Sequence, residues 1–135
     1  MKKVLIVEDD RNIALALGVR LKAMGYDVAS ASDAVTAVTQ ARKAQPDVVL
    51  LDIGLPGGDG FMVAERLKQL TQTATTPLIF ITAMKTPGLK DRAQALGAVR
   101  FIEKPFKATQ IADAIESALM PGDDWESVWQ DSPGH

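Results

Sequence analysis

The sequence predicts an α/β domain in which a parallel sheet is covered by helices on both faces. Three observations lead there. Five short apolar runs alternate with stretches whose apolar residues recur at three and four positions, the rhythm of successive strand–helix units. The central run, 48–51, is apolar at every position, as a strand covered on both sides must be. Four of the runs stop at side chains with chemistry to offer: Glu8 and Asp9, Asp52, Thr82, and Lys104.

The elements follow in order. Lys3–Val7 reads as the first strand, cut off by Glu8-Asp9-Asp10. Asp10 suits the N-cap of a helix carrying Ile13, Leu17, Leu21 and Met24 on one face, which Gly25 ends. Residues 26–29 form a weaker second strand. Ser32 or Asp33 caps a helix with Ala34, Ala37, Val38 and Ala41 inward, and such small residues imply close packing on the sheet. The third strand, 48–51, leads into Asp52. Residues 55–60 form a loop rich in Gly and Pro, and Phe61, Ala64, Leu67 and Leu70 then give helical spacing. A polar loop over 71–76 precedes the fourth strand, 77–81, which ends at Thr82. Helical spacing over 87–96 stops at Gly97. The fifth strand is 99–102, Pro105 breaks it after Lys104, and Ile111, Ala114, Ile115, Ala118 and Leu119 mark a last helix.

A chain of 135 residues holds one core of this kind. It has no cysteine, which rules out disulfides, thiolate catalysis and cysteine-based metal sites. The apolar run after Lys2 and Lys3 is too short for a signal peptide or a membrane span, so a cytoplasmic protein with no membrane contact is expected. A net charge of −2 argues against a general grip on nucleic acid. The charge is uneven. Residues 121–135 hold Asp123, Asp124, Glu126 and Asp131 with no Lys or Arg, a segment of −4 on a body of +2. The expected division is therefore a domain over 1–120 and an acidic extension over 121–135. Trp125 and Trp129 lie four apart, so one face of a helical turn would carry both, with Val128 beside them. The extension reads either as a docking segment or as a linker remnant.

In an open parallel sheet the C-terminal strand ends share one rim, where ligands bind. Glu8, Asp9, Asp52, Thr82 and Lys104 converge there in this reading. Carboxylates crowded together repel one another and need an offset. Lys104 is one, and a hard divalent cation held by Asp9 and Asp52 is another, with Mg²⁺ expected because few protein ligands are offered and water can complete its shell. A nucleophilic aspartate, a metal seat, a hydroxyl and a cation suit phosphoryl transfer onto Asp52 as an acyl phosphate. Singly, each residue has a plainer reading: Asp9 or Asp10 as a helix cap, Asp52 as a turn residue, Thr82 as a polar strand end, Lys104 as a solvated charge. A nucleotide-binding enzyme of the doubly wound class is disfavoured, because three acidic residues stand where its glycine-rich loop would follow the first strand.

The motifs Val4-Leu5-Ile6-Val7-Glu8-Asp9-Asp10, Asp52-Ile53-Gly54-Leu55-Pro56-Gly57-Gly58-Asp59-Gly60, Ile81-Thr82-Ala83 and Glu103-Lys104-Pro105-Phe106 occur in this order. Over 2–120 the sequence resembles the receiver (CheY-like) family of response regulators in two-component signal transduction. The resemblance implies the flavodoxin-like fold: five parallel strands in the order 2-1-3-4-5, flanked by five helices. It implies that Asp52 is the phosphoacceptor, with Thr82 and Lys104 as its catalytic companions. It implies Mg²⁺ held by Asp9, Asp52 and the Gly54 carbonyl, with Glu8 acting through water. Thr82 and Phe101 would form the switch, although Phe101 equally fits a partly buried strand aromatic. The Lys104–Pro105 bond would be cis. The partners implied are a sensor histidine kinase or histidine phosphotransfer protein as donor, and an output protein met through helix four, strand five and helix five. Such a domain takes up and loses phosphate by its own chemistry, yet its role is switching rather than turnover.

Some positions depart from the family pattern. Glu8 stands where Asp is commoner. Gly54 and Met84 flank the path of the hydrolytic water, the one leaving it open and the other shielding it. Lys85, Thr86, Pro87 and Gly88 suggest a mobile start to the fourth helix that orders on phosphorylation. Arg100 and the sparse charge of 107–119 weigh against a dimer that drives a DNA-binding output domain. Two other readings remain: a receiver excised from a multidomain regulator or hybrid kinase, and an interaction module with an inactive site.

Overall fold

The computed structural model describes residues 1–120. Its strands are β1 (Lys3–Val7), β2 (Asp27–Ala31), β3 (Val48–Asp52), β4 (Leu78–Thr82) and β5 (Arg100–Glu103). The helices between and after them are α1 (Arg11–Ala23), α2 (Ala34–Ala44), α3 (Gly60–Gln69), α4 (Leu89–Ala95) and α5 (Ala108–Leu119). The strands form one parallel sheet in the order β2-β1-β3-β4-β5, as expected from the resemblance.

Side chains alternate across the sheet, so each strand serves two cores. Leu5, Val7, Val49, Leu51, Leu78 and Phe80 face α2, α3 and α4, where Ala34, Ala37, Phe61 and Leu67 meet them. Val4, Ile6, Val48, Leu50, Ile79 and Ile81 face α1 and α5, meeting Leu17, Leu21, Ile111 and Ile115. Phe61 and Phe80 pack as a tilted pair with ring centroids 5.1 Å apart. Truncating a fully buried aliphatic such as Leu50 to alanine would cost about 2–5 kcal/mol.

Three helices start on aspartate caps that lie against the rim. Asp10 accepts from the N–H groups of Asn12 and Ile13, Asp33 from Thr36, and Asp59 from Met62. Each carboxylate satisfies an orphan donor and meets the positive end of its helix. Gly60 seats α3 beneath the end of β3. Its N–H donates to the Ile53 carbonyl at 2.8 Å, and a Cβ there would run into the backbone of Asp52 and Ile53.

Several boundaries differ from expectation, among them those of the third and fourth strands, which run Val48–Asp52 and Leu78–Thr82 rather than 48–51 and 77–81. The second strand covers Asp27–Ala31 rather than 26–29, because pairing with β1 carries on to Val7 opposite Ala31. An edge strand answers to backbone pairing on one side, so its polar Ser30 is no obstacle. The fourth helix is Leu89–Ala95 rather than 87–96, because Gly88 sits at φ +88°, a left-handed conformation no helix interior allows. The fifth strand is Arg100–Glu103, one residue later than 99–102. The expected extension over 121–135, with Trp125 and Trp129, lies outside the described residues.

Candidate functional site

The parallel sheet delivers the five anticipated side chains to one rim. Glu8 and Asp9 leave the end of β1, Asp52 ends β3, Thr82 ends β4, and Lys104 follows β5. Val7 pairs with Leu51, Asp52 with Ile81, and Thr82 with Glu103, so the residues stand side by side across four strands. The Lys104–Pro105 peptide is cis, and the Lys104 N–H donates to the Thr82 carbonyl at 2.8 Å.

The Lys104 ammonium lies 3.2 Å from Asp52 Oδ2 and 2.5 Å from Glu8 Oε1. Its side chain is 13% exposed and that of Glu8 not at all, so solvent screens these charges little. Asp52 Oδ1 accepts from the Gly54 N–H at 3.1 Å, and Glu8 Oε2 accepts from the Asp10 N–H at 3.1 Å. Carboxylate oxygens of Glu8, Asp9 and Asp52 all lie within 4.8 Å of one another. Asp9 is exposed and the other two are buried. Thr82 is buried, its hydroxyl accepting from the Met84 N–H at 2.9 Å. Phe101 is half-buried against the core beneath α4.

Burial, and then the hydrogen bond it shares with Asp52, push the Glu8 carboxyl up to about 7, despite the pull of Lys104 and of the Asp10 N–H. Burial works against the Lys104 ammonium, but Glu8 and Asp52 outweigh it and its pKa rises above the ordinary lysine value. The two shifts differ in origin: Glu8 rises chiefly because it is buried, and Lys104 rises because two carboxylates face it.

Sequence reasoning did not pick out two flanking groups. A cleft of about 340 Å³ beside the acidic cluster is lined by Asp9, Gly54, Met84, Asp59, Phe61 and Arg92, among others. Asp59 precedes Gly60 and an apolar helical run, a cap signal that was legible. The Arg92 guanidinium carbon sits 4.3 Å from the Phe61 ring centroid. No local pattern foretells that contact, because it joins two helices. The Met84 sulfur lies 3.8 Å from where a Cβ on Gly54 would be, so Met84 covers the opening left by that glycine.

The family model described as response regulator receiver domain matches residues 4–116. The chain belongs to this receiver family. Among curated proteins it is 33% identical over 125 residues to the DNA-binding dual master transcriptional regulator RpaA of Synechocystis, covering 91% of this chain and 51% of that protein. It is 37% identical over 118 residues to the response regulator PleD of Caulobacter vibrioides, covering 85% of this chain and 25% of PleD. The receiver thus spans about half, or less, of the length of these relatives. The chemotaxis protein CheY4 of Vibrio cholerae superposes with a TM-score of 0.82 at 30% identity, over 88% of this chain and 99% of that one. A receiver domain of a modulated diguanylate cyclase from Desulfovibrio desulfuricans gives a TM-score of 0.78 at 35% identity, over 88% and 94%. Receivers of this family are described as catalysing their own phosphorylation and dephosphorylation, not as turnover enzymes. Among the described residues no helix is long and apolar enough to cross a membrane.

Proposed function

We propose that this receiver is a phosphorylation-dependent signalling switch whose phosphoacceptor is Asp52. One observation carries the reading: a buried carboxylate at a strand end, with an ammonium 3.2 Å away and two further carboxylates within reach. The donor is a phosphohistidine of a sensor histidine kinase or phosphotransfer protein. An Asp52 oxygen attacks the phosphorus, the P–N bond to the donor imidazole breaks, and the imidazole leaves with the bonding pair and takes up a proton. The product is an acyl phosphate on Asp52.

The cluster of hard oxygen donors with surplus negative charge fits a divalent cation, and Mg²⁺ is the ion of choice where few protein ligands are offered. Asp9, Asp52 and the Gly54 carbonyl would hold it, with Glu8 acting through water. Mg²⁺ supplies charge neutralisation for the phosphoryl oxygens. Lys104 would neutralise a further phosphoryl oxygen. Its bond to Glu8 holds the ammonium in place before phosphate arrives.

Thr82 and Phe101 form the switch. The Thr82 hydroxyl, which accepts from the Met84 N–H, donates its own hydrogen to a phosphoryl oxygen, and Phe101 turns inward behind it. The altered surface is α4–β5–α5, read by an output protein. Neither nucleic acid nor membrane is a direct partner, and the switch works in the cytoplasm. A second reading keeps this chemistry and makes residues 1–120 the receiver unit of a larger regulator. The share of RpaA and PleD left unmatched favours it.

Intact mass after incubation with Mg²⁺ and acetyl phosphate tests the proposal. A gain of one phosphoryl group, absent in Asp52→Asn, is the expected result. No gain in the unaltered protein overturns it and leaves an interaction module with an inactive site.

A further inference from the structure

The edge of the sheet beside β2 carries a feature that phosphoryl chemistry does not use. A groove of about 990 Å³ runs between α1 and α2 across this edge strand. On its α1 side Leu15 is 70% exposed and Val19 is 61% exposed. These two side chains stand one helical turn apart, with Arg11 one turn before them and Lys22 one turn after. Arg11 and Lys22 have no ion-pair partner among the described residues. Glu8 is the one acidic residue lining the groove, and its carboxylate is buried against Lys104. The surface is therefore an apolar strip with a free cation at each end.

Gly18 is an independent sign that the groove is kept open. It lies inside α1, where glycine weakens a helix. A Cβ at this position would meet only Val28 Cγ1, at an ordinary contact distance of 3.9 Å. No neighbour in the fold demands the glycine, and its effect is to leave room in the groove it lines.

The geometry points to residues 121–131 of this same chain as the occupant. That segment alternates acid and bulky apolar residues: Asp123, Asp124, Trp125, Glu126, Val128, Trp129 and Asp131. It carries −4 against the +2 of the body, and its tryptophans match the exposed strip as its acids match Arg11 and Lys22. Reach is sufficient. The segment follows α5, which packs against α1. The residues from Met120 to Trp125 span up to about 17 Å when extended, more than the roughly 10 Å width of one helix. We infer that Trp125 and Trp129 seat on Leu15 and Val19, with Asp123, Asp124 and Asp131 near Lys22 and Arg11. The contact is a built-in cover for the α1 face.

The chain reports on this contact by itself, because its two tryptophans both lie in the segment. Tryptophan emission and acrylamide quenching of the full chain are compared with those of a synthetic peptide of residues 121–135. The expected result is blue-shifted emission and protection from quenching in the full chain. Protection falls to the peptide's level in Leu15→Glu and in Gly18→Met, and declines with salt. Val35→Glu, at an exposed apolar site on α2 outside the groove lining, retains it. Circular dichroism confirms that each variant stays folded, and Gly18→Met removes a helix-weakening residue, so lost protection there does not reflect unfolding. Emission matching the free peptide overturns the proposal, as does protection indifferent to Leu15→Glu and Gly18→Met. Protection that rises with protein concentration overturns it in favour of docking between copies.

Discussion

α3 and α4 flank the same rim and are built to different standards. α3 buries Gly60, Phe61, Val63, Ala64 and Leu67, and Asp59 caps it through a side-chain hydrogen bond. α4 is seven residues long, buries Ala93, and starts on a left-handed Gly88 with no side-chain cap. The strands behind them differ likewise: β3 and β4 are buried throughout, whereas Arg100 and Phe101 of β5 are half-buried and Glu103 is exposed. The contrast separates two duties. Under the proposed function, the wall that carries Asp52 holds its geometry while charge changes beside it. Under the same proposal, the flank next to Thr82 needs a second arrangement within reach, and thin local packing makes one cheap.

Four measurements sharpen or break this contrast. The largest effect is expected at α3. Gly60→Val drives a branched side chain into the Asp52 and Ile53 backbone and destabilises the domain by on the order of 3 kcal/mol, read by urea denaturation. A near-neutral result would mean that the wall behind the acceptor yields easily.

The next concerns pH. Glu8 titrates near 7 in the folded chain against an ordinary value of 4.5, so the folded state binds more protons than the unfolded one between these values. Stability of the Mg²⁺-free protein therefore falls as pH rises through that window. Melting temperatures at about pH 5 and about pH 7.5 should show the decline, and Glu8→Gln should flatten it. Mg²⁺ should restore stability at the higher pH, since it binds ionised carboxylates.

Hydrogen exchange addresses α4 directly. Amides of 89–95 should exchange faster than those of 60–69, and a phosphoryl analogue should narrow the gap. Equal protection of 85–90 with and without the analogue would remove the case for ordering at this turn. The smallest change is Gly88→Ala, which forces a Cβ into the left-handed region at a cost of roughly 1–2 kcal/mol. If thin packing lets α4 unwind locally, the measured loss will fall below that range.

Legibility in the sequence follows the same divide. β1, β3 and β4 were readable because apolar runs and buried central strands are one fact seen twice. The rim residues were readable because strand ends in a parallel sheet must meet. β4 and β5 each lie one residue later than their apolar runs suggest, and β2 and α4 depart further at their ends, since an edge strand is held by backbone pairing and Gly88 breaks a helical pattern without altering the spacing of its apolar residues. The tight Lys104–Glu8 pair, closer than Lys104–Asp52, was also hidden. Sequence placed all three groups on one rim, but which carboxylate the ammonium prefers depends on how deeply each is buried.

The opposite rim, where strands begin, bears none of the site's side chains. The turn at Gly25, the left-handed Gln45 and the turn at Gly97 all lie on that side, as do the exposed Met1 and the last turn of α5. A dye, an affinity handle or a fused protein attached at those turns would stand a full strand length from Asp52. The molecule thus separates where it can be handled from where it reacts.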